Sequence, residues 1–422
     1  MKDILPPESA KWERLERTAS SIFSSFGYKL AITPVVEKTE LFVRTVGEDT
    51  DVVSKEMYVF TDRGGESICL RPEGTASIMR AYLSDPEWRS KAMKVWYWGP
   101  MFRYERPQKG RYRQFHQFGV EAIGSNSPYT DAELIYMLDV FYKELGVSDI
   151  RVEVNSIGCK ACRPSYREAL VSYLRSKESE LCEDCKKRTD VNPLRVLDCK
   201  VPSCNLVVKS APVITAFLCE DCKVHNDAVL KVLDSSKIVY SVNPLLVRGL
   251  DYYSRTVFEF ISEQLDGRQN ALGGGGRYDE LSTHLGEKPV PSVGYAGGVE
   301  RTVLFMGEQA TTSIDAYIAM LDEDTLKAYA PVIFEAKKQA IGSKVCFIDE
   351  DFKTRDIKKH LSKADKLGSR YALIAGSQEL SAGLVIIKDL LLKKEEHIKI
   401  DLNNIASSAG SIVRRLLEEK NS

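Results

Sequence analysis

The sequence predicts an α+β core, a helical insertion within it and a separate C-terminal α/β domain. At 422 residues the chain is too long for one simple core, and 43% hydrophobic and 28% charged residues are ordinary values for a globular protein. Residues 95–124 hold two runs with a period near two, which predicts a pair of long strands. From about residue 313, strand and helix patterns alternate, which predicts a different kind of domain with a mixed sheet.

Bulk charge and hydropathy exclude few functions but indicate a compartment. The net charge is −1, which does not argue against nucleic-acid binding, because such binding depends on local clusters of basic residues. The sequence has no run of about 18 apolar residues, so we expect no membrane span. Residues 1–20 lack the apolar stretch of a secretion signal. We therefore expect a cytoplasmic protein.

The N-terminal part predicts a helix followed by short strands. Apolar residues at helical spacing indicate a helix over residues 9–26. Two short strands, 57–61 and 67–70, precede a second helix that opens near Thr75. The ordinary structural explanation of Thr75 is that it caps this helix. No comparable structural role is evident for Glu73, whose carboxylate at a strand–helix junction suits a substrate ammonium group.

A basic loop joins the two long strands. Residues 103–113 hold five basic residues against one acidic, and the proline and glycine among them favour a loop. A solvated hairpin tip is one interpretation. The other is a sheet that binds a nucleotide phosphate. It is favoured by Arg103 at the end of a strand and by Gln117 and Glu121 on one face of the returning strand.

Three later stretches carry further candidate residues. Arg248 is followed by the tyrosine pair Tyr252 and Tyr253 and then by a strand pattern. The four glycines 273–276 indicate either a flexible linker or backbone packed closely against a ligand. Arg301 stands near the start of an apolar helix, where its charge opposes the helix dipole unless an anion is nearby.

Eight of the ten cysteines fall between residues 159 and 222. They form four pairs with spacings typical of tetrahedral zinc ligands: Cys159 and Cys162, Cys182 and Cys185, Cys199 and Cys204, and Cys219 and Cys222. Because disulfides are disfavoured in a cytosolic chain, two alternatives stay open. These are structural Zn²⁺ in one or two four-thiolate sites, and reduced free thiols. Cys69 and Cys346 are expected in the core. His225 offers a further metal ligand, but we expect it to be an exposed bystander.

The C-terminal region has the alternating pattern of an α/β domain. It predicts strands at 316–320, 344–348, 371–375 and 383–387, and helices at 322–341, 353–367 and 403–419. The helix at 353–367 is basic on one side, which indicates either a solvated face or a polyanion partner.

Five motifs, in order along the chain, resemble the class II aminoacyl-tRNA synthetases and, among them, the histidyl-tRNA synthetases. They are Arg71-Pro-Glu-Gly-Thr75, Phe102-Arg-Tyr-Glu-Arg-Pro-Gln108, Leu246-Val-Arg-Gly-Leu-Asp-Tyr-Tyr253, Gly274-Gly-Gly-Arg-Tyr-Asp279 and Gly298-Val-Glu-Arg301. The stretch 28–42 also looks like the first class II motif, which builds a dimer interface. The resemblance covers nearly the whole chain.

The resemblance implies a fold and a division into domains. It implies a catalytic core on an antiparallel six-stranded sheet, a mostly helical Cys-rich insertion, and a C-terminal anticodon-binding α/β domain with a mixed five-stranded sheet. The expected boundaries are 1–158 and 238–310 for the two parts of the core, 159–237 for the insertion and 313–422 for the anticodon-binding domain. It also implies a homodimer.

The resemblance further implies an activity, which is ATP-dependent activation of L-histidine to histidyl-adenylate with Mg²⁺, followed by transfer to the 3′ terminal adenosine of tRNA(His). Arg103 and Arg248 would be catalytic. The residues implied in binding histidine are Glu73, Thr75, Arg103, Gln117, Glu121, Arg248, Tyr252, Tyr253 and Tyr278. Those implied in binding ATP are Arg103, Arg111, Arg113 and Arg301, and those that would contact the tRNA acceptor end are Arg106 and Gln108.

The sequence departs from the family in one respect, because zinc is not a general feature of the histidyl-tRNA synthetases. The main alternative function is a synthetase-like regulatory subunit of histidine biosynthesis that does not aminoacylate, and a pure RNA-binding module is a more distant one. The presence of Arg103, Arg248 and Arg301 together with a C-terminal α/β domain favours the enzyme.

Overall fold

The computed structural model describes residues 3–47, 50, 52–105, 111–248, 252–262, 271–307, 314–348 and 356–418. The chain forms two compact units, Met1–Glu308 and Gln309–Ser422. The predicted division into four domains stays a prediction. No helix in the described part of the chain combines the length and the apolar character that crossing a bilayer requires.

The first unit is built on a large sheet of eight strands and a small sheet of three. Its strands, in chain order, are β1 Lys29–Leu30, β2 Val36–Lys38, β3 Tyr58–Thr61, β4 Ser67–Leu70, β5 Met93–Phe102, β6 Gln114–Ile123, β7 Ile150–Ser156, β8 Tyr240–Val242, β9 Ser254–Ser262, β10 Ala271–Arg277 and β11 Ser292–Gly298. The large sheet has the order β1-β5-β6-β11-β10-β9-β7-β8, and the small sheet has the order β2-β4-β3.

The six inner strands of the large sheet, from β5 to β7, all pair antiparallel. This confirms the predicted antiparallel core. The predicted number of six strands was too low. Two edge strands extend the sheet, because β1 pairs parallel with β5 and β8 pairs parallel with β7. These two strands have only two and three residues, which is too short to produce a pattern with a period of two.

Helices cover the sheet and fill the insertion. They are α1 Glu8–Ser25, α2 Thr39–Val46, α3 Thr75–Ser84, α4 Pro86–Arg89, α5 Pro128–Glu144, α6 Arg163–Ser176, α7 Glu183–Val191, α8 Pro202–Val208, α9 Glu220–Ser235, α10 Leu281–His284 and α11 Val299–Phe305. A π-helical turn spans Val52–Glu56, and short 3₁₀ helices span Glu178–Glu180, Pro193–Val196 and Ile214–Phe217.

The core of the first unit lies between the large sheet and the helices α1 and α5. Aromatic rings from three elements meet there: Phe118 of β6 lies 4.9 Å from Phe141 of α5 and 6.2 Å from Phe23 of α1, between ring centroids. All three are fully buried, and burial of each such side chain contributes roughly 1.5–3 kcal/mol. The opposite face of β5 packs Val95, Tyr97 and Met101 into a second hydrophobic cluster, and Gln117 and Glu121 lie on that same side of the sheet in β6.

The segment 159–237 is fully described and contains helices but no strand, as predicted for the insertion. The expectation for His225 was wrong. This histidine on α9 is 5% exposed, and its Nε2 lies 2.8 Å from Oδ2 of the fully buried Asp131 on α5. A buried carboxylate needs partners, and Asp131 also accepts a hydrogen bond from the Thr256 hydroxyl at 2.7 Å.

The second unit has a mixed sheet of five strands, which confirms the predicted fold. Its strands are β12 Ile314–Met320, β13 Val345–Ile348, β14 Tyr371–Ala375, β15 Leu384–Asp389 and β16 Lys394–Lys399, in the order β13-β12-β14-β15-β16. The pairs among β13, β12 and β14 are parallel, and β15 and β16 add antiparallel.

Four helices complete the second unit: α12 Glu323–Gln339, α13 Ile357–Lys366, α14 Ser377–Ala382 and α15 Ile405–Glu418. The first residues of the helix predicted at 353–367 lie outside the described residues. Cys346 was expected in the core, but it is exposed on the edge strand β13. Cys69 is buried as expected.

We predict that the buried ion pair between Arg277 and Asp131 is a main source of stability in the first unit. Arg277 is fully buried on β10, and its Nε donates to Asp131 Oδ2 at 3.0 Å. Arg277→Met leaves the carboxylate without its cation and should lower the free energy of unfolding by about 3–5 kcal/mol. All four tryptophans lie in this unit, at positions 12, 88, 96 and 98, so fluorescence during urea unfolding measures the change.

Arg44→Met is the matched control. Arg44 pairs with Glu40 on the surface of α2, and both side chains are more than half exposed. This variant should change the free energy of unfolding by less than about 0.5 kcal/mol. An equal effect of the two substitutions would contradict the role assigned to Arg277.

Candidate active site

A cavity of about 260 Å³ lies over the inner strands of the large sheet. Nine of the predicted site residues line it: Glu73, Thr75, Arg103, Arg111, Gln117, Arg248, Tyr252, Tyr253 and Arg301. They come from elements far apart in sequence, which are the β4–α3 junction, the hairpin strands β5 and β6, the segment before β9, and α11. Convergence of this kind is typical of a ligand site.

Glu121 is fully buried and does not line the cavity, but it contacts Thr75, which does. Its Oε1 accepts a hydrogen bond from the Thr75 hydroxyl at 2.8 Å, and its Oε2 accepts one from the hydroxyl of Tyr278. Burial raises the pKa of this carboxyl to about 8, although the two hydroxyl donors act to lower it. A carboxyl with that pKa can hold or release a proton near neutral pH.

The position opposite Glu121 has to be a glycine. In the β6–β11 register Gly294 pairs with Glu121. A Cβ atom added to Gly294 would lie 1.6 Å from the Glu121 Oε2 atom, a distance that no non-bonded pair tolerates. The backbone of β11 thus leaves the space that the carboxyl occupies.

The side chain of Glu73, and not that of Thr75, accepts hydrogen bonds from the backbone N–H groups at the start of α3. Its carboxylate accepts the backbone N–H groups of Thr75 at 2.7 Å and Ala76 at 2.8 Å. The Thr75 hydroxyl instead donates to Glu121, and the expectation that Glu73 has no comparable structural role was wrong. Burial raises the pKa of Glu73, and these N–H donors and the charge of Arg103 oppose the shift. A carboxylate has about four lone-pair sites, so Glu73 retains capacity for a ligand.

Four arginines line the cavity, and three of them are anchored by hydrogen bonds within the described part of the chain. Arg103 Nε donates to the carbonyl of Pro72 at 2.9 Å, Arg248 Nη1 donates to Glu259 Oε1 at 2.9 Å, and Arg301 Nη1 donates to the carbonyl of Ala271 at 2.8 Å. Each guanidinium has five N–H donors. One such bond fixes the group and leaves other donors for an anionic ligand.

The glycine run 273–276 is part of strand β10 and not a linker. Gly274 is required by Arg248, because an added Cβ would lie 2.3 Å from the Arg248 Nη1 atom. The guanidinium of Arg248 therefore lies flat against the strand. Burial and the nearby charge of Arg111 lower the pKa of Arg301, so an anion in this part of the cavity would stabilise both arginines.

The predicted arginines and tyrosines not yet described differ in where they lie relative to the cavity. Arg113 stacks on the ring of Tyr104 at 4.0 Å and does not line the cavity. Tyr252 and Tyr253 both line the cavity, with tilted rings whose centroids are 4.7 Å apart, and Tyr252 meets Tyr278 edge-on at 5.8 Å. Arg106 and Gln108 lie outside the described residues.

Three carboxylates that were not predicted as site residues also line the cavity. They are Glu105, Glu259 and Glu300. Glu259 holds Arg248, and Glu300 accepts the backbone N–H of His116 at 2.9 and 3.0 Å. The signal for Glu259 was present in the sequence as an acidic residue within an apolar strand. Because Mg²⁺ prefers carboxylate oxygens together with phosphates, this donor set fits a magnesium ion that accompanies a nucleotide.

Comparison with known proteins agrees with this site. The family model described as "Histidyl-tRNA synthetase" matches residues 1–302, and the one described as "Anticodon binding domain" matches residues 315–409. The chain is 45% identical over 418 residues to a protein of Halothermothrix orenii named "Histidine--tRNA ligase", covering 97% of this chain and 98% of that one. It is 42% identical over 408 residues to a protein of the same name from Trichlorobacter lovleyi, covering 96% of each chain.

A solved structure, apo histidyl-tRNA synthetase from S. aureus, matches with a TM-score of 0.75 and 33% sequence identity, over 96% of this chain and 97% of that one. The antiparallel sheet is that of a class II aminoacyl-tRNA synthetase. Within that class, the chain belongs to the histidyl-tRNA synthetase family.

We predict that Glu121 makes stability of the ligand-free protein fall as the pH rises. Its pKa is about 8 in the folded chain, against an ordinary value of 4.5, so between these values the folded state binds more protons than the unfolded state. Stability is then lost with increasing pH, by at most about 1.4 kcal/mol per pH unit. Glu121→Gln removes this contribution. Its free energy of unfolding relative to wild type should increase steadily from pH 5 to pH 8, as measured by urea unfolding.

The control for this pH series is Glu66→Gln, at an exposed carboxylate of the β3–β4 turn. That variant should follow the pH dependence of wild type. A Glu121→Gln curve parallel to wild type over the same range would refute the assignment.

Proposed function

We propose that this protein is a histidine–tRNA ligase that forms histidyl-adenylate and then histidyl-tRNA(His). The observation that supports this most directly is the combination of a buried carboxyl, Glu121, with a neighbouring cavity whose walls carry Arg103, Arg248 and Arg301. A carboxyl and a hydroxyl can pair with the two ring nitrogens of an imidazole, and guanidinium groups suit a carboxylate and phosphates.

The side chain of histidine would be recognised by Glu121 and Tyr253, with Tyr252 and Tyr278 packed around the ring. The α-ammonium group would bind to Glu73, with Thr75 and Gln117 beside it. Gln117 Oε1 is buried and has no hydrogen-bond partner within the described structure, so it is available as an acceptor. Such a pocket rejects side chains of similar shape, because they would leave buried polar groups unpaired.

In the first step the histidine carboxylate would attack the α-phosphorus of ATP. A carboxylate oxygen–phosphorus bond forms, the bond to the bridging oxygen breaks, and pyrophosphate leaves with that electron pair. Arg103 and Arg248 would bind the carboxylate and the α-phosphate and would stabilise the negative charge of the pentavalent phosphorus. No protein nucleophile is required, so catalysis depends on positioning and charge.

The rest of the nucleotide would lie along Arg111 and Arg301. Arg301 is placed to stack on adenine and reach the γ-phosphate, and Arg111 to bind the triphosphate. Mg²⁺ on the phosphates would neutralise their charge, with Glu105, Glu259 and Glu300 as the nearby carboxylates. The position of Arg113 outside the cavity lining argues for a smaller role than that of Arg111.

The second step requires tRNA(His). Arg106 and Gln108, which follow Arg103 along the chain, would contact the acceptor end, and the unit that matches the anticodon-binding family would contact the anticodon. We further propose the division into core, insertion and anticodon-binding domain at residues 158, 237 and 310, a homodimer, and a cytoplasmic location. Structural zinc in the insertion is a separate cofactor proposal that depends on other residues.

The first test is histidine-dependent exchange of labelled pyrophosphate into ATP. Wild type should support exchange, and Arg248→Ala should reduce its rate by at least about 100-fold, the effect of losing a group that stabilises transition-state charge. Arg44→Ala, at an exposed ion pair of α2, should leave exchange unchanged. Absence of exchange in folded wild-type protein would favour the regulatory subunit.

Arg113 and Arg111 provide a comparison within the same loop. Arg111 lines the cavity and Arg113 does not. Arg111→Ala should therefore raise the KM for ATP in the exchange reaction by about tenfold, as expected for one charged hydrogen bond. Arg113→Ala should change it less than twofold. An increase of the same size in both variants would contradict the placement of the nucleotide.

A further inference from the structure

The insertion brings its eight cysteines together as two groups of four. The first, named here the proximal cluster, consists of Cys159, Cys162, Cys219 and Cys222. The second, the distal cluster, consists of Cys182, Cys185, Cys199 and Cys204. Within each cluster all four Sγ atoms lie within 4.8 Å of one another, and none of the eight forms a disulfide.

The distances between sulfurs fit four thiolates on one ion. The Sγ atom of Cys159 lies 3.7 Å from that of Cys162 and 3.9 Å from that of Cys219. The Sγ atoms of Cys182 and Cys199 are 3.9 Å apart. A tetrahedron with zinc–sulfur bonds of about 2.3 Å has edges of about 3.8 Å. A disulfide would require about 2.05 Å. An iron–sulfur cluster would hold the thiolates further apart, since they bind different iron atoms.

Backbone N–H groups point at the sulfurs in both clusters. The N–H of Cys219 donates to Cys162 Sγ at 3.1 Å, and the N–H of Cys182 donates to Cys204 Sγ at 3.2 Å. Hydrogen bonds to sulfur stabilise the thiolate form, which is the form that binds a metal. They make little contribution to an uncharged thiol.

Helix α7 needs a source of stability other than apolar burial. Its nine residues, Glu183–Val191, bury only Cys185 and Thr189, and its Val191 is 63% exposed. A short helix without an apolar face is not stable through packing. The buried contact that α7 does make, through Cys185, belongs to the distal cluster. A metal ion held by that cluster would supply the missing free energy.

Both clusters hold segments that lie against the cavity wall. Arg163, which follows Cys162, donates through Nη2 to the backbone carbonyl of Tyr253. The 3₁₀ turn Pro193–Val196 lies between Cys185 and Cys199 of the distal cluster. A second cavity, of about 150 Å³, is lined by Arg163, Asn192, Leu194 and Arg195 from the insertion and by Ile157, Val247, Arg248 and Tyr253 from the core.

We propose that each cluster binds one Zn²⁺ through four thiolates, and that the two ions hold the insertion against Arg248 and Tyr253. Binding displaces the four thiol protons of each cluster to solvent, with no change of oxidation state. The first part, two zinc ions per chain, is independent of the reaction. The second part, support of the histidine-binding wall, depends on the proposed function.

Zinc content tests the first part. Wild-type protein purified without chelator should contain two zinc ions per chain by elemental analysis. Cys159→Ser/Cys162→Ser and Cys182→Ser/Cys185→Ser should each contain one, and Cys346→Ser, at a cysteine outside both clusters, should retain two. Less than one zinc per wild-type chain, iron in its place, or disulfides within the clusters would overturn the proposal. The measurement on wild type does not depend on whether a variant folds.

Pyrophosphate exchange tests the second part on the same proteins. Each double variant should raise the KM for histidine by up to about tenfold, the effect of losing about one hydrogen bond at the wall, while the KM for ATP changes less. Removal of zinc from wild type with 1,10-phenanthroline should have the same effect, and added Zn²⁺ should reverse it. An unchanged KM for histidine after zinc loss would overturn the supporting role. Two zinc ions in a wild type without exchange would support the metal sites and refute the proposed function.

Discussion

The arrangement of the site depends on the burial of one carboxyl, Glu121, which lies next to the cavity-lining Thr75. Transfer of a carboxyl from water to the protein interior is costly unless other groups hydrogen-bond to it. Here the two hydroxyl donors come from Thr75 at the start of α3 and from Tyr278 just after β10. These contacts connect β6 to two elements that are distant in sequence, so the polar group that the site uses also fixes the parts of the fold around it.

The same sheet accommodates large side chains by placing glycines next to them. The ring of Tyr97 lies between Gly74 and Gly119, where an added Cβ would approach its atoms to 2.3 and 2.1 Å. Gly274 makes room for Arg248 in the same way. Because protein interiors are close-packed, these glycines are as much a part of the site as the side chains that they accommodate. A flat backbone at these positions lets an aromatic ring and a guanidinium lie directly on the strands.

The sequence predicted the parts of this structure that follow from local pattern. The hairpin of β5 and β6 and the alternation of the second unit both have a clear period. Contacts between distant elements were not predictable in this way. Glu73 caps α3 because Thr75 is turned towards Glu121, and His225 is buried because Asp131 lies opposite it in another helix. Strand β16 was missed because its residues are almost all exposed and polar.

Two features of the insertion could not be predicted from sequence patterns: helix α7 and the way in which the cysteine pairs combine. Hydrophobic periodicity identifies a helix only where apolar burial stabilises it, and α7 lacks such a face because cysteine takes the buried position. Spacing along the chain also does not tell which pairs of cysteines combine. The pair at 159 and 162 joins the pair at 219 and 222, across the whole insertion, and encloses the other cluster in sequence. This nested arrangement closes the insertion at its base, where the chain leaves β7 and where α9 returns it to the core. A metal ion held by the proximal cluster would therefore fix both crossings at once, where the insertion joins the core.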